Sequence, residues 1–146
     1  MGRFFSNIQI KNNLENREQF IAELNNAMKK RELIPATEDD ASLTYILAFS
    51  KNNQWATLCS ADYESGGDVR SDVQWLAEVL KTCCICTSVA DSDFSMLELY
   101  DSSSIPIDMV VVGNDEDYGV PKDSIYKGKR EHWEKHLVSG YTWEQL

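Results

Sequence analysis

The stretch 71–101 constrains the fold more than any other part of this chain. It reads as one short amphipathic helix running directly into a β-hairpin. Over residues 72–81, Val73, Leu76, Ala77 and Leu80 recur at i, i+3, i+4 and i+7. Four apolar side chains therefore share one helical face, and that face needs a second layer to bury it. Ser71 and Gln74 fit a capping box, which would occupy backbone N–H groups that a first helical turn leaves unpaired. Two extended runs follow, Cys83–Ala90 and 94–100, with the acidic tip Asp91-Ser92-Asp93 between them.

The rest of the chain repeats this logic. Residues 4–11 read as a strand that partly buries Phe4, Ile8 and Ile10. Asn16 then caps a longer helix over 17–33, with Phe20, Leu24, Ala27 and Met28 as its apolar stripe. Lys29, Lys30 and Arg31 fall in its last turns, where cations suit the helix dipole, and Pro35 ends it. In 43–50, Leu43, Tyr45, Leu47 and Phe49 alternate with Thr44, Ile46, Ala48 and Ser50, the pattern of a strand with one strongly apolar face. A turn at 51–54 leads to a partner strand, Trp55–Ser60, and 65–68 forms a flexible connection.

Trp55-x-x-Leu58-x-x-x-Asp62 also aligns with Phe94-x-x-Leu97-x-x-x-Asp101, which suggests two related helix–hairpin units. The expected fold is α+β: β-α-β-β-α-β-β over residues 1–121, with a mostly antiparallel sheet of five or six strands and two helices on one face. Residues 105–112 supply a last strand, and Pro106 near its start suits a sheet edge. Residues 122–146 form a helical tail docking on the same domain, with a helix over 130–137 and a further turn at 142–146.

Several function classes are disfavoured. A chain of 146 residues fits one domain. No apolar run approaches the roughly 20 residues of a membrane span, and the opening Met1-Gly2-Arg3-Phe4-Phe5-Ser6 lacks the apolar core of a signal peptide. The expectation is a cytoplasmic protein that engages no membrane. Of the cysteines Cys59, Cys83, Cys84 and Cys86, three crowd into one strand, where alternation sends Cys84 and Cys86 to one face and Cys83 to the other. That is the pattern of small buried thiols in a reducing compartment, not of structural zinc.

His132 and His136 stand at i and i+4 with Glu131 and Glu134 near, a spacing that zinc can use. Trp133 and Leu137 run parallel to them as a docking stripe, however, and the His-Glu-x-x-His order is absent. Asp91-x-Asp93, with Asp62, Glu64 and Asp68, lacks the calcium-loop spacing. No nucleophile elbow or glycine-rich phosphate loop occurs. No catalytic residue, metal or cofactor is expected, and the chain reads as a non-enzyme.

Charge points towards a partner. The formal net charge is −10, and across 82–121 there are eight carboxylates without one Lys, Arg or His. Nucleic-acid binding is disfavoured, because phosphate contact demands a basic stripe. A basic protein partner is favoured, because complementary potentials steer encounter. The candidate contact residues are Asp91, Asp93, Asp101, Asp115, Glu116 and Asp117. The alternative is a small-molecule-binding module, with Tyr45, Trp55, Trp75 and Phe94 lining a concave aromatic pocket.

Two resemblances accompany these readings. The order strand-helix-strand-strand, followed by a second helix and hairpin, resembles the duplicated module of gyrase-inhibitor-like ligand-binding proteins in architecture only. Separately, Ser88-Val-Ala-Asp-Ser-Asp-Phe-x-x-Leu-Glu-Leu-Tyr-Asp101 is similar to hairpins in small acidic bacterial proteins of the toxin-immunity type. That resemblance implies a stoichiometric cytoplasmic binder, and joined to the charge reading it makes the expected basic partner a protein such as a toxin.

Overall fold

A computed structural model describes residues 4–65, 68–90, 94–113, 128–137 and 140–145. Alternating apolar residues build its six strands: β1 (Phe4–Lys11), β2 (Tyr45–Phe49), β3 (Trp55–Ser60), β4 (Cys83–Ala90), β5 (Phe94–Asp101) and β6 (Pro106–Gly113). They form one sheet in the order β2-β3-β1-β4-β5-β6, with every pairing antiparallel. β1 lies between the β2–β3 hairpin and the β4–β5–β6 meander. The α+β class, the antiparallel sheet and its sixth strand agree with the sequence reading.

Register decides which side chains meet. Ile8 lies opposite both Leu58 and Cys86, and Ile10 opposite both Ala56 and Cys84. These residues and Tyr100 face α1 (Arg17–Lys30) and α3 (Val69–Leu80), which bring Phe20, Leu24, Val73, Leu76 and Ala77 to the same core. Each fully buried Ile, Leu or Val there contributes roughly 1.5–3 kcal/mol by leaving water. The other sheet face carries Cys83 and Leu99, on which Trp133 of α4 (Arg130–Trp133) packs. Trp55, Ile85, Leu97, Val110 and Trp143 border that second core. Helices thus cover one face, and the tail covers part of the other. No described helix is long and apolar enough to cross a membrane.

Several local expectations change. α3 starts at Val69, and its cap is Asp68, whose side chain accepts from the Ser71 backbone N–H at 3.0 Å. The capping box of Ser71 and Gln74 does not form, because aspartate is among the best N-caps and claims that N–H from outside the helix. α1 stops at Lys30, short of Leu33, where the chain turns through a left-handed Glu32. A four-residue helix, α2 (Ala61–Glu64), follows β3 directly, with Ser60 accepting from the Asp62 N–H.

The internal repeat is not structural. Trp55 faces the tail side of the sheet, whereas its counterpart Phe94 packs with Ala90 and Val111 on the helix side. The tail helix tightens after Trp133 into a 3₁₀ turn, Glu134–His136, so its two histidines separate. His132 meets Asp108, and His136 meets Cys83 and Trp55.

Candidate functional site

The early start of α3 places Asp72 in the helix's first turn, where a carboxylate is favoured by the helix dipole. Its side chain is only 13% exposed and needs partners. Three arrive from other elements of the fold. Tyr45 of β2 donates its hydroxyl to Asp72 Oδ2 at 2.9 Å, and Tyr63 of α2 donates to the same oxygen at 2.8 Å. Arg31, the residue that ends α1, donates to Oδ1 and lays its guanidinium 4.7 Å from the centre of the Trp75 ring. Four elements therefore converge on one carboxylate.

An open cleft of about 350 Å³ lies over this network. Leu33 and Leu43 add apolar wall, and Asp62, Asp68 and Ser71 complete the lining. Burial, and then the bond to Asp72, push both tyrosine hydroxyls well above their ordinary pKa. They remain protonated donors and offer no general base at neutral pH. Both tyrosine hydroxyls, Arg31 and both Asp72 oxygens are paired with one another, which holds the wall in one geometry. Among the described residues, Asp62 and Asp68 make no ion pair.

Two carboxylates of the acidic span 82–121 are internal. Glu98 is held by a two-pronged contact from Arg70, with Nε 3.2 Å from Oε2 and Nη2 3.0 Å from Oε1. Asp108, whose side chain is fully buried, pins the tail. It accepts from the Lys129 N–H at 2.6 Å, the Trp133 indole at 2.9 Å and the Met109 N–H at 2.8 Å, and His132 Nδ1 lies 3.1 Å away. Gly128 fits beneath this contact because a Cβ there would sit 2.6 Å from the Trp133 indole nitrogen.

These groups predict acid lability of the tail. Burial pushes the Asp108 carboxyl up, but its backbone and side-chain donors outweigh that and hold it below its ordinary 3.8. His136 is lowered from 6.5 by burial first and then by Lys11 and Lys135, with Asp101 opposing them. For both groups the unfolded chain binds the proton more readily. Their stabilisation is present above the unfolded-state values and is lost as the pH falls through the folded ones. Thermal melts should thus decline below about pH 6.5 through His136 and again below about pH 3.8 through Asp108. His136→Gln should flatten the first decline, and an unchanged profile in that variant would contradict this account.

Of the sequence candidates for partner contact, Asp91, Asp93, Asp115, Glu116 and Asp117 lie outside the described residues. Asp101 is exposed at the end of β5, with Oδ2 3.6 Å from Lys135 Nζ. The four candidate aromatics do not share a cavity. Tyr45 lines the cleft, and Trp75 packs beside it under Arg31. Trp55 is on the opposite face, its ring 5.9 Å from that of His136, and Phe94 is buried in a third cluster. Strand alternation sends Trp55 away from Ala56 and Leu58, which face the helices.

Sequence reasoning missed Tyr63 and Asp72. The signal for Tyr63 was the Ser60-Ala61-Asp62 helix start. Asp72 gave none, because Tyr45 and Arg31 are remote in sequence and Tyr63 lies on a separate short helix.

The thiols are chemically quiet. Burial pushes Cys83 up to about 11 and Cys86 up to about 12, and Cys84 higher still. Cys83 Sγ lies 3.6 Å from His136 Nε2, yet at neutral pH it stays a thiol rather than a nucleophile. Among the described residues, no group of three or more His, Cys, Asp or Glu side chains is placed to hold a metal ion. No protein-family model, curated protein or solved structure matches this chain.

Proposed function

We propose that this chain is a non-enzymatic cytoplasmic interaction protein that binds and inhibits a basic protein partner, in the manner of immunity-type proteins. The observation that carries this reading is the span 82–121, with its eight carboxylates and no cation. Glu98 and Asp108 are used internally, Asp101 is exposed beside Lys135, and the candidate contact residues Asp91, Asp93, Asp115, Glu116 and Asp117 lie outside the described residues. Two cations are also engaged with buried carboxylates, Arg31 with Asp72 and Arg70 with Glu98. Charge segregated in this way costs self-repulsion that a cationic surface relieves.

The test is capture from a lysate of the source organism with the immobilised protein. A basic protein should be retained at low salt and released as added salt screens exposed charge. Replacing Asp115, Glu116 and Asp117 together by serine should weaken retention about tenfold or more. Capture that tolerates both the salt and the triple substitution would overturn the acidic-surface reading.

A further inference from the structure

The cleft over Asp72 is the built feature that this function has not absorbed. We infer that it is a subsite for the guanidinium group of an arginine side chain presented by the basic partner, a reading that rests on the proposed function for the source of that group. The cavity lining combines carboxylates with apolar and aromatic side chains. Leu33 and Leu43 supply wall for an aliphatic stem, and Tyr45 supplies an aromatic surface on which a planar cation can lie. Asp62 and Asp68 supply carboxylates free of ion pairs among the described residues, which suit the forked donors of guanidinium better than the point charge of ammonium.

An anionic ligand is disfavoured. The only cation lining the cleft among the described residues is Arg31, and its guanidinium is already bonded to Asp72 and stacked on Trp75. The lining holds three carboxylates against that one guanidinium, so its potential is negative. The floor does not have to reorganise on binding, because both tyrosine hydroxyls are already fixed on Asp72.

The probe is acetyl-arginine-methylamide, titrated into isotopically labelled protein and followed by amide chemical shifts. Its citrulline analogue serves as the neutral isostere, and free arginine distinguishes a metabolite from a side chain. The blocked arginine should give saturable shifts at Arg31, Tyr45, Tyr63 and Ser71, at least as strongly as free arginine, and the citrulline analogue should give none. The pair Asp62→Asn and Asp68→Asn should weaken binding about tenfold. Asparagine caps a helix about as well as aspartate, so the second substitution keeps the start of α3, and a melting curve checks that the fold is kept.

Absence of saturable shifts, equal shifts with citrulline, or binding of free arginine alone would overturn the subsite. A failed titration beside successful capture of a basic protein overturns the subsite only. A successful titration beside failed capture overturns the partner and leaves the guanidinium site standing.

Discussion

Replacing Asp108 by alanine should lower the melting temperature by roughly 10 °C and release the tail from the sheet. The carboxylate is fully buried and gathers donors from Lys129, Trp133 and Met109, with His132 beside them. Truncation would strand an indole N–H and backbone N–H groups in a dry site, at a cost of about 3 kcal/mol. Asp108→Asn should fare little better, because it replaces an acceptor oxygen with a donor facing donors. Hydrogen exchange would locate the damage. Protection should fall first in 128–137 and in β6, while the core between β1 and the helices keeps its own. A melting temperature near that of the parent would mean that Asp108 does not anchor the tail.

The second large effect is expected at Asp72. Its removal leaves Arg31 and the hydroxyls of Tyr45 and Tyr63 without their common partner, and Tyr63 is itself buried. Asp72→Ala should cost about 3 kcal/mol, and Tyr63→Phe about 1 kcal/mol. The two losses should not add, because the phenol bond is already gone once the carboxylate is removed. Denaturant unfolding of both single variants and the double variant measures that coupling. Simple additivity would mean that the network is a coincidence of packing and that the cleft has no fixed floor.

Much of this fold was legible in the sequence because a two-residue period is a local signal. The alternation in 43–50 and in Cys83–Ala90 located strands and sorted Cys84 and Cys86 from Cys83. The same rule already held the answer for Trp55, whose neighbours Ala56 and Leu58 pair with Ile10 and Ile8 in the helix-side core. Reading the aromatics as a group rather than by strand face put Trp55 in a pocket that it does not enter.

The cleft was harder for a different reason. Asp72 resembles any carboxylate in a first helical turn, and what buries it are Tyr45 and Arg31, brought in by contacts across 27 and 41 residues. α2, at four residues, is too short to show a helical period, so only the Ser60 cap marked the setting of Tyr63. The helix expected over 130–137 is cut short because the tail, docked through Trp133, tightens after it into a 3₁₀ turn that no spacing signals.

The most direct test of the acidic-binder account is the rate at which this protein associates with the captured basic partner as ionic strength is raised. Stopped-flow mixing at several salt concentrations separates association from dissociation. If the acidic surface steers the encounter, the association rate should fall about tenfold or more between low and physiological salt, with the dissociation rate changing far less. An association rate independent of salt would contradict the account, because it would leave the charge of 82–121 without a part in binding.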